Sequence, residues 1–372
     1  MQSVNISIRT LTPLFTGGID GTAARLHETS IIGSLRWWYE LIVRGLGGIA
    51  CDQTINRCTF DIKKYNKLGK EIQEEKERLH KSGLCDACQI FGATGRKRQF
   101  KMNIFPATDK TFWRKGILNV RPAGRHNGWY LPSGFMGDCK IRLYGTELAV
   151  NLITSLFFFL EEWGAIGAKN QLGYGLFKIT NKEELKKCSI SEQLQVKPVD
   201  LNDKLIFFKY TVSPSDQDWW TGINGIQRLL GNSIHANILY NLYREGMVPI
   251  APVLKNFWRY EKWHAPYEIK SWLMGMSRGE KKSKSKVSVS WAYRDEGENK
   301  WTIRGWIWLP ENRKKGNDNF SEDINKFIEL IKDKTIWIKS LNLKEPGSGI
   351  KPAVNEIINQ SDFVNFLGGG AI

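Results

Sequence analysis

W-G-A-I-G-A-K-N-Q-L-G-Y-G-L-F-K-I, residues 163–179, joins an apolar helix to a short strand through a loop that holds four glycines. Glycine adopts positive φ at little cost and lets another backbone approach closely. Lys169 and Asn170 stand in the middle of the loop, so flexible backbone carries a cation and an amide, which suits contact with a phosphate backbone. The loop matches neither G-x-x-x-x-G-K-[ST] nor G-x-G-x-x-G, so a mononucleotide or dinucleotide site is not indicated. A glycine-rich turn with one exposed lysine is the plain alternative.

The charge balance of the chain favours a polyanionic partner. Its 372 residues carry 54 lysines and arginines against 38 aspartates and glutamates, a surplus of 16, and the pI is about 9.5. Each phosphate that a protein binds releases counterions, so a surplus of this size favours nucleic acid. A basic surface that serves only solubility is the alternative. The length predicts two domains.

The sequence predicts a cytoplasmic protein without membrane contact. Residues 1–10 alternate polar and apolar side chains instead of forming the apolar run of a signal peptide. The longest apolar stretch, residues 150–160, is far shorter than the roughly 20 residues that cross a bilayer. Six cysteines in a chain of this size, without a secretory signal, argue against a disulfide scaffold.

Four of the cysteines bracket a charged insertion, residues 49–83. Cys85 and Cys88 have the tight knuckle spacing of a tetrahedral zinc site, whereas Cys51 and Cys58 form a looser pair. Four thiolates would anchor both ends of a flexible segment, and metal binding would contribute folding energy. We therefore predict a structural zinc ion held by these four cysteines, with four unrelated buried thiols as the alternative. A four-cysteine site leaves no open coordination position, which disfavours a zinc-dependent hydrolase.

Two further elements of the first half carry candidate RNA contacts. Arg96, Lys97 and Arg98 end a glycine turn that enters a strand, as at a nucleic-acid edge, with a solvated charge run as the alternative. Arg36 lies on an amphipathic helix. An ion pair with Glu40, worth roughly a few tenths of a kcal/mol, and a phosphate contact are equal interpretations of Arg36.

The second half repeats the order of the first, which we interpret as β-α-β-β-α-β. After a predicted linker at 181–203, residues 205–212 repeat the opening strand, and 250–258 align without gaps with 31–39, which pairs Lys255 with Arg36. Residues 272–281 then resemble 89–98. We infer two copies of one α+β unit. The basic turn of the second copy comprises Arg278, Lys281, Lys282, Lys284 and Lys286. We predict that this turn and Lys255 are further nucleic-acid contacts.

Four ordered motifs resemble the RAMP superfamily of CRISPR proteins. They are T-P-L-F-T-G-G at 12–18, S-I-I-G-S-L-R-W-W-Y at 30–39, C-D-A-C-Q-I-F-G-A-T-G at 85–95 and G-A-I-G-A-K-N-Q-L-G-Y-G at 164–175. Within the superfamily the chain is most similar to the family of the first subunit of the Cmr (type III-B) effector complex. The likeness is good over residues 6–179, loose over 205–310, and not recognisable beyond 310.

The resemblance implies an α+β fold of tandem ferredoxin-like (RRM-like) RAMP domains with a cysteine-bracketed insertion. The first domain would span residues 1–180 and the second 204–372, ending in a helical C-terminal tail. The resemblance also implies a hetero-oligomeric complex with other Cmr RAMP subunits, in which this chain caps the filament near the 3′ end of the CRISPR RNA and helps capture target RNA. Arg36 and Lys169 would meet RNA. Target cutting belongs to other subunits, so this chain would be non-catalytic.

A metal-independent endoribonuclease is the competing hypothesis, since some RAMP relatives have that activity. A histidine would serve as the general base, and His27 and His126 are the candidates because both lie in predicted loops of the basic half. A structural role is the alternative for each histidine.

Overall fold

Two antiparallel sheets with the same central strand order form the frame of the protein. The structure, a computed structural model, describes residues 1–17, 25–52, 56–107, 117–122, 124–125, 128–186, 188, 190, 204–276, 283–294, 300–309, 320–344 and 351–357. The fold class predicted from the sequence, tandem ferredoxin-like units with a cysteine-bracketed insertion, is confirmed.

The first unit has a four-stranded sheet with two long helices packed on one face. Its strands are β1 Gln2–Thr10, β2 Phe100–Pro106, β3 Leu118–Val120, β4 Trp129–Leu131, β5 Asp138–Gly145 and β6 Phe177–Ile179. Its helices are α1 Glu28–Gly45, α2 Ile62–Leu68, α3 Glu75–Lys81, α4 Asp86–Phe91 and α5 Glu147–Trp163, with 3₁₀ turns at Asn170–Leu172 and Lys182–Glu184. The sheet order is β2-β5-β1-β6, and β3 and β4 form a separate hairpin. This order, with α1 and α5 as crossovers, is ferredoxin-like.

The second unit repeats this order around a longer sheet. Its strands are β7 Lys204–Val212, β8 Met247–Val248, β9 Val287–Val289, β10 Ala292–Tyr293, β11 Trp301–Leu309 and β12 Lys351–Ile357. Its helices are Ile226–Leu230, Ser233–Arg244, Ala251–Asn256 with a π-helical continuation Phe257–Lys262, Tyr267–Met274, Phe320–Lys332 and Lys334–Ser340. Strands β12, β7, β11 and β9 pair in the order of β6, β1, β5 and β2 of the first unit.

The two sheets differ in what covers them, and the difference is visible in the strands. Strand β1 alternates polar and apolar residues, so one face is buried and the other is open. Strand β7 begins K-L-I-F-F, and its side chains from Leu205 to Phe208 are all buried. Ile206 and Phe208 face the second unit's own core, whereas Leu205 and Phe207 join the core of the first unit.

Helices α1 and α5 therefore lie between the two sheets. Trp38 of α1 stacks on Phe207 at 6.3 Å between ring centroids, and Phe159 and Trp163 of α5 each meet the same ring at 5.8 Å. The layers run from the first sheet through α1 and α5 to the second sheet and then to the second unit's helices. The first sheet keeps an open outer face.

A buried arginine of the second unit binds the C-terminal carbonyls of α5. The guanidinium of Arg304, which is 3% exposed, donates to the carbonyls of Glu161, Glu162 at 3.0 Å and Gly164 at 3.1 Å. The last carbonyls of a helix lack partners within it and carry partial negative charge, so a cation there satisfies and stabilises them. This contact fixes the two units to each other.

Some local predictions from the sequence need correction. The sequence beyond Pro346 predicts a loop and then a short helix, but Lys351–Ile357 is a strand that pairs with β7 along its whole length. The charged sequence at 71–80 predicts a helix, and the helix found there is shorter and begins at Glu75. The sequence also predicts that Thr146 caps α5, and this is confirmed, because the hydroxyl of Thr146 accepts from the amide of Ala149 at 3.3 Å.

In the described part of the chain, none of the helices combines the length and the apolar character that a membrane crossing requires.

Candidate nucleic-acid interface and metal centre

The four predicted metal ligands meet at one point. The sulfurs of Cys51, Cys58, Cys85 and Cys88 all lie within 4.8 Å of one another, and those of Cys51 and Cys88 are 3.5 Å apart. Cys85 precedes α4 and Cys88 lies in its first turn, so the helix start sets their spacing. Amides of the chain point at the sulfurs, with Cys88 N donating to Cys85 Sγ at 3.4 Å and Cys85 N donating to Cys58 Sγ at 3.4 Å.

This donor set fits a zinc ion. Four sulfurs at about 2.3 Å from a tetrahedral zinc lie about 3.8 Å from one another, close to the separations in the cluster. Amide hydrogen bonds to sulfur favour thiolates, and four protein ligands would leave no position for substrate. The residues suit a structural metal, which would contribute folding energy rather than chemistry.

The carboxylate of Asp86, inside the knuckle, holds the insertion in place. Its oxygens accept from the amide of Ile49 at 2.7 Å and pair with His80 at 3.0 Å and Lys76 at 3.6 Å. Burial opposes ionisation of Asp86, yet the hydrogen bonds from His80 and Ile49 hold its pKa below the usual value. Both ends of the insertion are thus tied to the start of α4.

Arg36 is committed to contacts within the protein. Its guanidinium pairs with Glu40 at 2.8 Å and donates to the carbonyl of Gly92 at 3.0 Å and to Cys88 Sγ at 2.9 Å. The ion-pair interpretation of Arg36 is therefore confirmed. Its guanidinium also lies beside a sulfur of the cysteine cluster, which adds positive charge where four sulfurs gather.

The three cations of the first basic turn face different surroundings. Arg96 is half-buried, with its guanidinium 5.4 Å from the Phe60 ring centroid and 3.6 Å from the carboxylate of Glu75. Arg98 is exposed and its Nε donates to its neighbour Phe100 O at 3.1 Å. Lys97 is exposed between them. Arg96 thus rests on the insertion, while Lys97 and Arg98 face solvent.

The described ends of the second basic turn match those of the first. Gly92 and Gly275 end equivalent helices with φ of 82° in both, and a Cβ on either would press on the backbone of the turn that follows. Gln99 N donates to Ile90 O, and Lys286 N donates to Leu273 O. These bonds align Lys97 with Lys284, and both are exposed.

The repeat corrects the pairing of Arg36 with Lys255. Arg259 donates to the Gly275 carbonyl at 2.8 Å and to Ser271 Oγ at 3.1 Å, as Arg36 donates to Gly92 and Cys88. The equivalent of Arg36 is therefore Arg259, one helical turn after Lys255. The gapless sequence alignment of 31–39 with 250–258 is therefore out of register by one helical turn, about four residues.

The glycine loop is built around close backbone approaches and one strained lysine. Gly167 N donates to the hydroxyl of Ser34 on α1 at 2.9 Å, and Ala168 N donates to Phe15 O at 2.8 Å. Lys169 has a φ of 61°, in the left-handed region that side chains other than glycine seldom adopt. Such strain persists only where the surroundings enforce it and often marks functional positions.

Lys169 itself stays at the surface. Its ammonium lies 4.7 Å from the Phe15 ring centroid, and partial burial lowers its pKa from the usual value. The neighbouring Asn170 is half-buried, and its side-chain oxygen is buried without a hydrogen-bond partner among the residues that the structure describes.

The other end of the glycine loop docks on the second unit. Gly173 lies so close to Trp291 that a Cβ would sit 2.4 Å from its ring, and Gln171 Nε2 donates to Ser285 O at 3.2 Å. Lys255, predicted to bind RNA, is 2% exposed, and its ammonium donates to Gln171 O at 3.3 Å, Ser285 Oγ at 2.9 Å and Val287 O at 3.1 Å. Lys255 is therefore an interior support of the loop, because no phosphate reaches a buried ammonium.

The second basic turn is adjacent to the glycine loop through these contacts. Lys284 is exposed next to Ser285, the residue that Gln171 bonds. Lys286 is half-buried, with its ammonium on Trp272 O at 2.9 Å. Three predicted RNA contacts, Arg278, Lys281 and Lys282, lie outside the described residues, as does His126.

Helix α1 connects the two groups of cations. Ser34 bonds the glycine loop and Arg36 bonds the first basic turn; the two residues are about 3 Å apart along the helix axis. Gly33 precedes both residues in the chain and lies on the helix face between them; it is exposed, and the space where its Cβ would stand is open. The open strip of α1 thus lies between the loop of Lys169 and the turn of Lys97. His27 directly precedes this helix.

Sequence reasoning missed the residues that position the interface. Ser34, Gln171 and Arg259 hold the loop and the second basic turn, yet each is a common polar residue without a motif. Sequence spacing could not identify Arg259, because it lies 16 residues before Gly275, whereas Arg36 lies 56 residues before Gly92.

Comparison with known proteins finds a family match in the first half of the chain. The model of the RAMP superfamily matches residues 7–178. Among solved structures, the fold is similar to Cmr1 from Pyrococcus furiosus (apo form), with 16% identity, a TM-score of 0.38, and coverage of 87% of this chain and 96% of that one. It is also similar to a chain of a type III-B Cmr-beta complex bound to cognate target RNA, with 10% identity, a TM-score of 0.39, and coverage of 88% and 99%. No curated protein matches the sequence.

Proposed function

Since residues 7–178 match the model of the RAMP superfamily, we propose that this chain is a non-catalytic RNA-binding subunit of a type III-B CRISPR (Cmr) ribonucleoprotein. In this role it caps the complex near the 3′ end of the CRISPR RNA and helps to capture complementary target RNA in antiviral defence. Its partners are the CRISPR RNA, the target RNA and other Cmr RAMP subunits. The choice of type III-B rests on the four ordered motifs at 12–18, 30–39, 85–95 and 164–175.

One observation carries the RNA-binding proposal: Lys169 is exposed at the apex of a loop whose two ends are anchored on different units. The loop is bonded to Ser34 on one side and to Ser285 on the other, so the ammonium is presented at a fixed place. Lys284 lies beside the loop on the second unit, and Lys97 lies on the other side of α1. Cations spaced along one surface suit a ribose-phosphate strand.

The chemistry of this surface fits binding without base reading. Ammonium and guanidinium groups neutralise phosphates whatever the sequence, and the release of counterions makes the affinity depend on salt. Sequence recognition is then left to pairing between guide and target, as in other RNA-guided complexes. The net charge of +16 supports the same partner.

The direct test is Lys169→Ala. We expect weaker affinity for single-stranded RNA of any sequence, and a slope of log affinity against log salt that is smaller by about 0.7, the value for one contact with a single strand. Affinity and slope can be measured by fluorescence anisotropy with two unrelated RNAs. Lys326→Gln removes a charge from an exposed helix of the outermost layer and serves as the matched control. If Lys169→Ala behaves like this control, Lys169 is an ordinary turn lysine.

The non-catalytic assignment has its own test. We expect that the pure chain leaves CRISPR RNA intact in EDTA, because we assign no general base to it. Cleavage in EDTA that His27→Ala or His126→Ala abolishes would instead establish the metal-independent endoribonuclease. Gel analysis of labelled RNA distinguishes the two outcomes.

We also propose that Cys51, Cys58, Cys85 and Cys88 hold one structural zinc ion. The gathering of four sulfurs and the amide hydrogen bonds to them support this assignment. Elemental analysis should give roughly one zinc per chain, and a folded chain free of metal would refute it.

A further inference from the structure

The open face of the first sheet carries a second set of cations, away from the loop of Lys169. We define this face by the side chains that point away from α1 and α5. Its five cations are Arg9, Lys101, Lys140, Arg142 and Lys178. Among the described residues of these strands, the one carboxylate on the face is Asp138, which pairs with Arg9 at 2.8 Å. The face is therefore strongly basic.

Two aromatic rings stand among these cations. Phe105 is 48% exposed and Tyr144 is 37% exposed, although both lie in regular strands. The register places Phe105 opposite Lys140 and Tyr144 opposite Lys101. The two rings are separated by about 14 Å, because their positions are four residues apart along the strands and each residue advances the chain by about 3.4 Å. Large rings on a charged, solvent-facing sheet face have no role in the core.

The cations hold these rings in place from the side. The Lys101 ammonium lies 5.6 Å from the Tyr144 ring centroid, and the Arg142 guanidinium lies 5.5 Å from that of Phe105. Arg142 Nε also donates to Asn5 Oδ1 at 3.3 Å. Amides of Asn5 and Asn103 add donors and acceptors on the same face.

We propose that this sheet face binds single-stranded RNA by stacking bases on Phe105 and Tyr144 while the surrounding cations contact phosphates. Bases stack on aromatic side chains without regard to sequence, and basic grooves follow the backbone. A protein partner fits less well, because protein interfaces are depleted of lysine and have an apolar centre. The inference deepens the proposed RNA binding and rests on it, but adds a surface on the other side of the first unit.

The layered fold explains why only one such face exists among the described strands. The corresponding face of the second sheet carries Phe207, Trp306 and Trp308, which pack against α1 and α5. The first sheet is the outer layer on the side opposite to the second unit's helices, so its face stays open.

The test compares variants of the two surfaces on one probe, a fluorescein-labelled 20-nucleotide oligouridine, with the full chain. We expect Tyr144→Leu to weaken binding at least about fivefold, because leucine keeps apolar area but offers no ring to stack. Tyr144→Phe should bind within about twofold of the parent chain. Lys101→Gln/Arg142→Gln should lower the salt slope by about 1.4, at about 0.7 for each contact with a single strand.

Lys326→Gln/Lys334→Gln removes the same charge from the helices of the opposite layer and is the matched control. If the sheet variants bind as the control does while Lys169→Ala binds more weakly, the sheet inference fails and the proposed function stands. If the parent chain does not bind RNA, both fail. If the sheet variants keep RNA affinity but lose a copurifying subunit, the face is a protein interface and the inference is overturned.

Discussion

The two units share a frame but not their specialised parts. Arg36 and Arg259 make the same bond to the carbonyl of a glycine with the same backbone angle. The position that the arginine also touches is Cys88 in the first unit and Ser271 in the second. The clamp between helix and turn thus belongs to both units, whereas the cysteine cluster occurs in the first unit, with Cys88 standing where the second unit has the hydroxyl of Ser271.

The comparison extends to the sheets. The first sheet presents arginine, lysine and two aromatic rings to solvent, whereas the second presents tryptophan and phenylalanine to the helices of its neighbour. The first unit therefore exposes one face of its sheet to solvent, whereas the corresponding face of the second sheet packs against α1 and α5. We expect that damage to the first unit will affect metal content and RNA affinity, and that damage to the second will affect stability and support of the glycine loop.

The largest expected effect is on the metal site. Cys85→Ser/Cys88→Ser should abolish zinc content and destabilise the first unit by about 4 kcal/mol or more, because loss of a structural metal is among the few causes of so large a change. Metal analysis and thermal unfolding measure the two quantities. Cys139→Ala, which removes a buried thiol outside the cluster, should keep the zinc. Full stability of the double variant would contradict the account.

The joint between the units should come next. Arg304→Met leaves the last carbonyls of α5 buried without their donor, and breaking such a contact should cost about 3 kcal/mol of unfolding free energy. Chemical denaturation measures this value. Arg9→Met removes an arginine with an exposed ion pair and should cost less than about 1 kcal/mol. Equal losses in the two variants would mean that Arg304 does not join the units.

Lys255 should give a smaller, pH-dependent effect. Burial, and to a lesser degree the charge of Arg259, lowers the pKa of Lys255 to about 7. The unfolded chain then binds more protons than the folded one between pH 7 and the ordinary lysine pKa, so stability gains from this residue as pH rises. Between pH 7 and pH 9 the gain is about 2 kcal/mol.

Lys255→Met isolates that contribution. The parent chain should gain stability relative to Lys255→Met over this pH range, as measured by urea denaturation at each pH. Parallel pH profiles for the two chains would show that Lys255 stays charged in the folded protein.

Much of the fold could be predicted because it depends on periodicity. The alternation in β1, the apolar length of α5 and the cap at Thr146 are local signals, and each led to the correct element. Strand β12 was missed because its residues 351–357 follow a proline and two glycines and form a strand only by pairing with β7. The apolar run L-I-F-F at 205–208 could have indicated a strand buried on both faces.

The sequence predicts which residue types form the candidate site, but it does not predict which of their side chains are exposed. The spacing of Cys85 and Cys88 predicts a metal site because these two candidate ligands are close in sequence. Nothing local distinguishes Lys169, which is exposed, from Lys255, which is buried, since the burial of Lys255 comes from a loop 84 residues away. Similarly, the lone Arg304 in an apolar strand finds its partners 140 residues earlier in the chain.

The most direct test of the central claim is to map where RNA touches the chain. Photo-crosslinking of 4-thiouridine RNA to the full chain, followed by mass spectrometry, should give crosslinked peptides from the glycine loop at 164–175 and from the basic turns at 92–98 and 276–286. Crosslinks confined to the helices Phe320–Lys332 and Lys334–Ser340, or no crosslinks above those of a non-binding control protein, would contradict it.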